Sequence, residues 1–226
     1  MALKPLLWRR ITAINSAGQG ETTGHILRPM NTSIRLDKRD LILAKGSAVM
    51  TRCGYHGTGV QDIVQAAGIP KGSFYHYFES KEDFALQALE HIYGSRLQRY
   101  AEALGNPALG PRARILGYYA ELLAHFARQE KAEYHCFIGS LSFEMAELSP
   151  AIGAQVDAIL QRGADILRDC LAEAQRAGEL AADEDCENLA NFIANAWQGV
   201  LGRLKASGSL QPMEAFIARL ERVLAA

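Results

Sequence analysis

The chain has 226 residues, 49% hydrophobic and 22% charged, enough to bury a core in one large domain or one small plus one medium domain. No apolar run approaches the ~18–20 residues of a membrane-spanning helix. The basic start (Lys4, Arg9, Arg10) lacks the apolar stretch and cleavage site of a signal peptide, so the expected setting is cytoplasmic. Four scattered cysteines, with no Cys-x-x-Cys and no zinc spacing, are expected to be free thiols, with no metal and no cofactor.

Charge is unevenly spread. Residues 1–81 carry 11 Lys/Arg against 5 Asp/Glu, and the remainder 13 against 20. A basic first third on an acidic body directs that third at a polyanion. Counted from Met30, the excess to residue 81 narrows to 7 against 4.

Residues 1–33 have no helical periodicity and are rich in Gly, Ser, Thr and Asn, which reads as a disordered extension. Met30 is an alternative start. From Lys38 to Arg52, Leu41, Ile42, Val49 and Met50 follow helical spacing, and Gly54 supplies the stop. Gly46 in mid-helix is a weak point, costing about 1 kcal/mol against Ala. Thr58 to Gln61 fits a capping box that opens a second helix with Val60, Ile63, Val64 and Ala67 on its buried face. Gly68 ends it. Pro70 then opens a third helix over Lys71 to Phe78. Ser80 caps a fourth, from Lys81 to about Leu104.

Five further helical segments follow, over 111–129, 135–147, Pro150 to about Ala177, 184–206 and 212–225. Ser149 caps the third of these, and Gly178 ends it. The fold class is therefore all-α, with about nine helices.

Two short helices around a tight Gly-containing turn make the helix-turn-helix pattern. Phe74 and Phe78, four apart, face the core and leave Ser73, Tyr75, His76 and Tyr77 outward between Lys71 and Lys81. A helix that enters a major groove can use such aromatics: hydroxyls reach phosphates or base edges, and rings pack on thymine methyls. Gly72 and Ser73 permit close backbone approach, and the amides there favour a phosphate.

The run from Gly54 to Lys81, including Thr58-Gly59-Val60-Gln61-Asp62-Ile63 and Ala67-Gly68-Ile69-Pro70-Lys71-Gly72-Ser73-Phe74-Tyr75-His76-Tyr77-Phe78, closely resembles the DNA-binding domain of TetR-family repressors. The resemblance implies that Lys71, Gly72, Ser73, Tyr75, His76, Tyr77 and Lys81 face double-stranded DNA, with Lys81 at a phosphate-clamping position. It also implies a domain over 34–84 for DNA and one over 85–226 for ligand sensing and dimerisation. The last two helices would build the homodimer interface, and the dimer would read a palindromic operator. Gly46 departs from the pattern, which has Ala there.

Residues 111–211 are more weakly similar to the electrophile- and acrylate-responsive branch of that family. The similarity rests on Arg114 to Tyr119, Cys136 to Met145 with Leu148-Ser149-Pro150, and Trp197-Gln198-Gly199 running to Lys205. It implies Cys136 as an electrophile sensor and Lys205 as its partner. A free thiol near pKa 8.5 holds little thiolate at pH 7, so a nearby cation is needed, with Arg128, Lys131 and His135 as sequence neighbours. The bland reading makes Cys136 a small buried hydrophobe. Tyr118, Tyr119, Phe126, Phe143 and Trp197 are candidates to line an inducer pocket, although aromatics at helical spacing are more often plain core.

Two other function classes compete with a DNA-binding regulator. Cys136 beside His135, with Glu133 and Glu144, has the residue types of a cysteine-dependent enzyme, but no nucleophile motif surrounds it. Loss of turnover in Cys136→Ala would favour it. A helical adaptor would show no salt-dependent DNA binding.

Overall fold

The computed structural model describes residues 38–128 and 136–225. The extension read over 1–33, and Met30 with it, lie outside them. The described residues contain nine helices and no strand. These are α1 (Lys38–Cys53), α2 (Val60–Ala67), α3 (Lys71–Phe74), α4 (Lys81–Leu104), α5 (Pro111–Arg128), α6 (Phe137–Met145), α7 (Pro150–Arg176), α8 (Cys186–Ser207) and α9 (Gln211–Val223).

The described residues divide into two compact units: 38–97 with 136–161, and 98–128 with 162–225. The divisions fall inside α4 and α7.

In the first unit, Ile42, Leu43 and Met50 of α1 meet Ile63 and Val64 of α2, Phe74, Phe78 and Phe84, and Leu141 of α6. The Phe74 ring lies 5.1 Å from Phe78 and 5.9 Å from Phe84. Local signals set the ends of the short helices. Gly68 takes φ +67°, and its amide and that of Ile69 close α2 on the Gln65 and Val64 carbonyls. Ser80 Oγ accepts the Asp83 amide at 3.0 Å to open α4. Ser149 Oγ accepts the Ile152 amide at 3.1 Å to open α7.

Three local expectations change. The capping residue of α2 is Gly59, not Thr58. Asp62 Oδ2 accepts the Gly59 amide at 2.8 Å, while the buried Thr58 hydroxyl donates to the Gly54 carbonyl at 2.7 Å. The third helix is only Lys71–Phe74, and the chain reaches Phe78 through turn bonds from the Tyr77 and Phe78 amides to the Phe74 carbonyl. Gly46 is a close approach and not a defect. A Cβ there would stand 2.5 Å from Ile63 Cγ2 and 2.7 Å from Phe84 Cζ, both on fully buried side chains.

In the second unit, Ile115 and Tyr119 of α5 pack with Leu167 and Leu171 of α7, Ile193 and Leu204 of α8, and Met213 and Ile217 of α9. The buried Arg114 donates to the Leu104 and Leu109 carbonyls at 3.1 and 2.7 Å and pairs with Glu173 at 2.7 Å. That network satisfies a charge which would be costly to bury alone. Asp185 caps α8, accepting the Glu187 and Asn188 amides.

Candidate nucleic-acid interface and sensor region

The face around α3 follows from which rings the core takes. Phe74 and Phe78 are buried, and Tyr75 and His76 between them turn outward. Tyr75 is 56% exposed. Lys71, Gly72 and His76 are exposed, and Ser73 is half-buried. Tyr77 is also half-buried and packs against the core. A Cβ added at Gly72 would meet nothing within 4 Å.

Lys81 is engaged inside the chain. Its ammonium donates to the Tyr55 and Thr58 carbonyls, each at 3.1 Å, and stands 4.2 Å from the centre of the Tyr55 ring. Lys81 thus grips the loop that joins α1 to α2. A second residue reaches the same loop. The Glu144 carboxylate, from the last turn of α6, accepts the His56 amide at 3.3 Å and lies against Gly54. Gly54 has φ +80°, a left-handed conformation that disfavours any other residue there.

Cys136 is half-buried at the start of α6. Its Sγ lies 3.9 Å from the Tyr93 hydroxyl, which also accepts the Ile138 amide at 3.0 Å. Burial, then the neighbouring thiol, pushes the Tyr93 phenol well above its ordinary pKa. The Arg96 guanidinium lies 5.1 Å from the Tyr93 ring centre. Of the cations near Cys136 in sequence, Lys131 and His135 lie outside the described residues. Arg128 and Lys205 are exposed and belong to the other unit. Tyr119 is buried, 5.1 Å ring to ring from both Trp197 and Phe216, and those two rings stand 5.4 Å apart. Phe126 packs partly buried against the same core.

The remaining cysteines are free thiols. Cys53 is exposed and Cys186 half-buried. Cys170 is buried, donates to the Leu104 and Pro111 carbonyls, and is pushed up to about 11, chiefly by burial.

Tyr93 and Glu144 make contacts that no local sequence pattern marks. Tyr93 carries no local signal, because it reads as one more apolar position of α4. Glu144, close to Cys136 in sequence, serves the opposite end of α6.

Two family models match the chain: bacterial regulatory proteins of the tetR family over residues 42–88, and the tetracyclin repressor-like C-terminal domain over residues 111–220. The chain is 31% identical to the transcriptional repressor DhaR of Mycobacterium sp. (strain GP1), over 81% of its own length and 90% of that protein's. It is 32% identical to the transcriptional repressor NemR of Escherichia coli K12, over 87% and 98%. The crystal structure of E. coli NemR in its reduced form superposes with a TM-score of 0.77, at 30% identity, covering 83% of this chain and 96% of that one. A cysteine-substituted CifR bound to 26-base-pair operator DNA superposes with a TM-score of 0.68 at 26% identity, covering 88% and 98%. A helix-turn-helix with outward aromatics, a helical C-terminal half and these matches give one conclusion: the chain belongs to the TetR family of DNA-binding transcription regulators.

Proposed function

We propose that this regulator is a homodimeric repressor that holds a palindromic operator through α3 and leaves it when a small molecule acts on its C-terminal part. The DNA domain is read over 34–84 and the sensing and dimerisation domain over 85–226. Lys71, Gly72, Ser73, Tyr75, His76 and Tyr77 form the DNA face. Lys81 supports that face by holding the Tyr55–Thr58 loop and adds positive charge beside the phosphates. The observation that carries this reading is the exposure of Tyr75 and His76 beside the fully buried Phe74. The reading needs no turnover, and it assigns the protein to the compartment that holds the DNA, the cytoplasm.

Dimerisation is assigned to α8 and α9. Phe192 of α8 is 57% exposed, and Gly199 and Gly202 have nothing within 4 Å of an added Cβ. A large exposed ring beside glycines suits close approach of a second copy. A two-fold dimer would set its α3 helices about 34–36 Å apart, one DNA turn.

The inducer is assigned to electrophiles that react at Cys136. With an unsaturated aldehyde, a bond forms from Sγ to the β-carbon, the carbon–carbon π bond breaks, and the thiol proton passes to the α-carbon. DNA upstream of the chain's own gene is the test. Wild type should bind it and release it on treatment, while Cys136→Ser binds equally and stays bound. Release of Cys136→Ser at the wild-type dose would remove the thiol from the mechanism. A reversible inducer beside Tyr119, Phe126 and Trp197 would then be the reading.

A further inference from the structure

We propose that Tyr93 and Glu144 are positioning residues that connect Cys136 to the helix-turn-helix, with α6 as the link between them. The inference rests on the reading of Cys136 as the sensor.

The first amides of a helix need partners from outside its own ladder. Cys136, at the N-cap of α6, makes no side-chain cap. The Tyr93 hydroxyl, from α4, takes that place by accepting the Ile138 amide. Its other polar neighbour is Cys136 Sγ. The sulfur also lies against the first turn of α6, where a Cβ on Gly139 would stand 3.4 Å from it. An adduct at Sγ therefore forms beside the α4 phenol and the first turn of α6. It removes the S–H, adds bulk beside the phenol, and disturbs the group that caps α6.

The far end of α6 makes the second contact. Glu144 holds the His56 amide in the loop that leads into α2. Between the two ends, Phe137, Ile138, Leu141 and Met145 are buried in the same core as Phe74 and Phe78. Close-packed side chains exchange one arrangement for another and do not deform gradually. A displaced α6 thus changes one of the two grips on the loop that positions α2 and α3. Lys81, from α4, keeps the other.

The test uses the full chain, acrolein as the electrophile, and the DNA upstream of its own gene. Peptide mass mapping locates the adduct at Cys136, and anisotropy gives the affinity with and without it. Wild type should lose about tenfold in affinity on alkylation. Tyr93→Phe keeps the ring but not the cap, and Glu144→Ala removes the loop contact. Both should carry the adduct yet change by less than about threefold. Glu144→Gln keeps an acceptor for the His56 amide and should respond as wild type does. Hydrogen exchange over 137–145 should speed up in alkylated wild type and be fast in Tyr93→Phe beforehand. Wild-type release factors in alkylated Tyr93→Phe and Glu144→Ala would overturn the inference. Wild type that carries the adduct and stays on DNA would overturn the sensor reading, and this inference with it.

Discussion

In the unit of residues 38–97 and 136–161, helices of eight and four residues hang on side chains from distant parts of the chain. Lys81 takes two loop carbonyls, Glu144 takes a loop amide, and the fully buried Phe84 packs against Phe74. In the unit of 98–128 and 162–225, helices of 18, 22 and 13 residues pack along their lengths. Within it, Arg114 ties α5 to the Leu104 and Leu109 carbonyls and to Glu173 of α7. The reason is length. A helix of one or two turns makes few internal bonds against the cost of its nucleus, so tertiary contacts must hold it. A short recognition helix is therefore adjustable from outside itself, whereas long helices carry their own order.

The first unit depends most heavily on Phe74. Phe74→Ala should cost about 3–5 kcal/mol, because the ring is fully buried where few contacts can substitute. Urea unfolding should show that loss together with loss of DNA binding. A loss under ~1 kcal/mol would mean that the first unit does not depend on this core.

Lys81→Met separates gripping from charge. Removing the ammonium leaves the Tyr55 and Thr58 carbonyls short of a donor and should cost about 1.5–3 kcal/mol of stability. It should also lower the salt slope of DNA binding by about one if the charge is felt by phosphate. An unchanged urea midpoint would refute the grip.

Gly46→Ala sharpens the same contrast with an opposite sign to propensity. Ala should gain about 1 kcal/mol in an open helix. Here its methyl would press into Ile63 and Phe84, so a net loss of about 1–2 kcal/mol is expected. A rise in the thermal midpoint would show that Ile63 and Phe84 yield easily. On the α3 surface, Tyr75→Ala or His76→Ala should weaken operator binding by about 1–3 kcal/mol without changing the melting temperature.

The smallest effect belongs to the second unit. Cys170 is raised in the folded chain, so the unfolded thiol ionises first as pH rises. Its contribution to stability is full below the ordinary thiol value of 9.0 and falls towards about 11. Cys170→Ala should lose this decline, measured as the difference in urea midpoint between neutral pH and pH values in that window.

Much of this was legible in the sequence because its signals are local. Ser80 and Ser149 mark helix starts, Gly68 a stop, and the Phe74–Phe78 spacing shows which aromatics are left outside. Each depends on residues within four or five positions, where backbone geometry alone decides the neighbours. The polar links could not be read this way. Glu144 meets His56 across 88 positions, Tyr93 meets Ile138 across 45, and Lys81 meets Tyr55 across 26. No periodicity encodes such pairs.

The order of the helices, the outward Tyr75 and His76 and the family follow from the sequence, whereas Tyr77, read as outward, packs half-buried against the core. Tertiary structure decided that Gly46 is a contact and not a flaw, and that Lys81 faces inward to the loop. It also decided that α6 and residues 150–161 join the unit that carries α3. The physical reason is that helix formation is governed by neighbours a turn away, while burial and hydrogen-bond partners depend on where the whole chain returns.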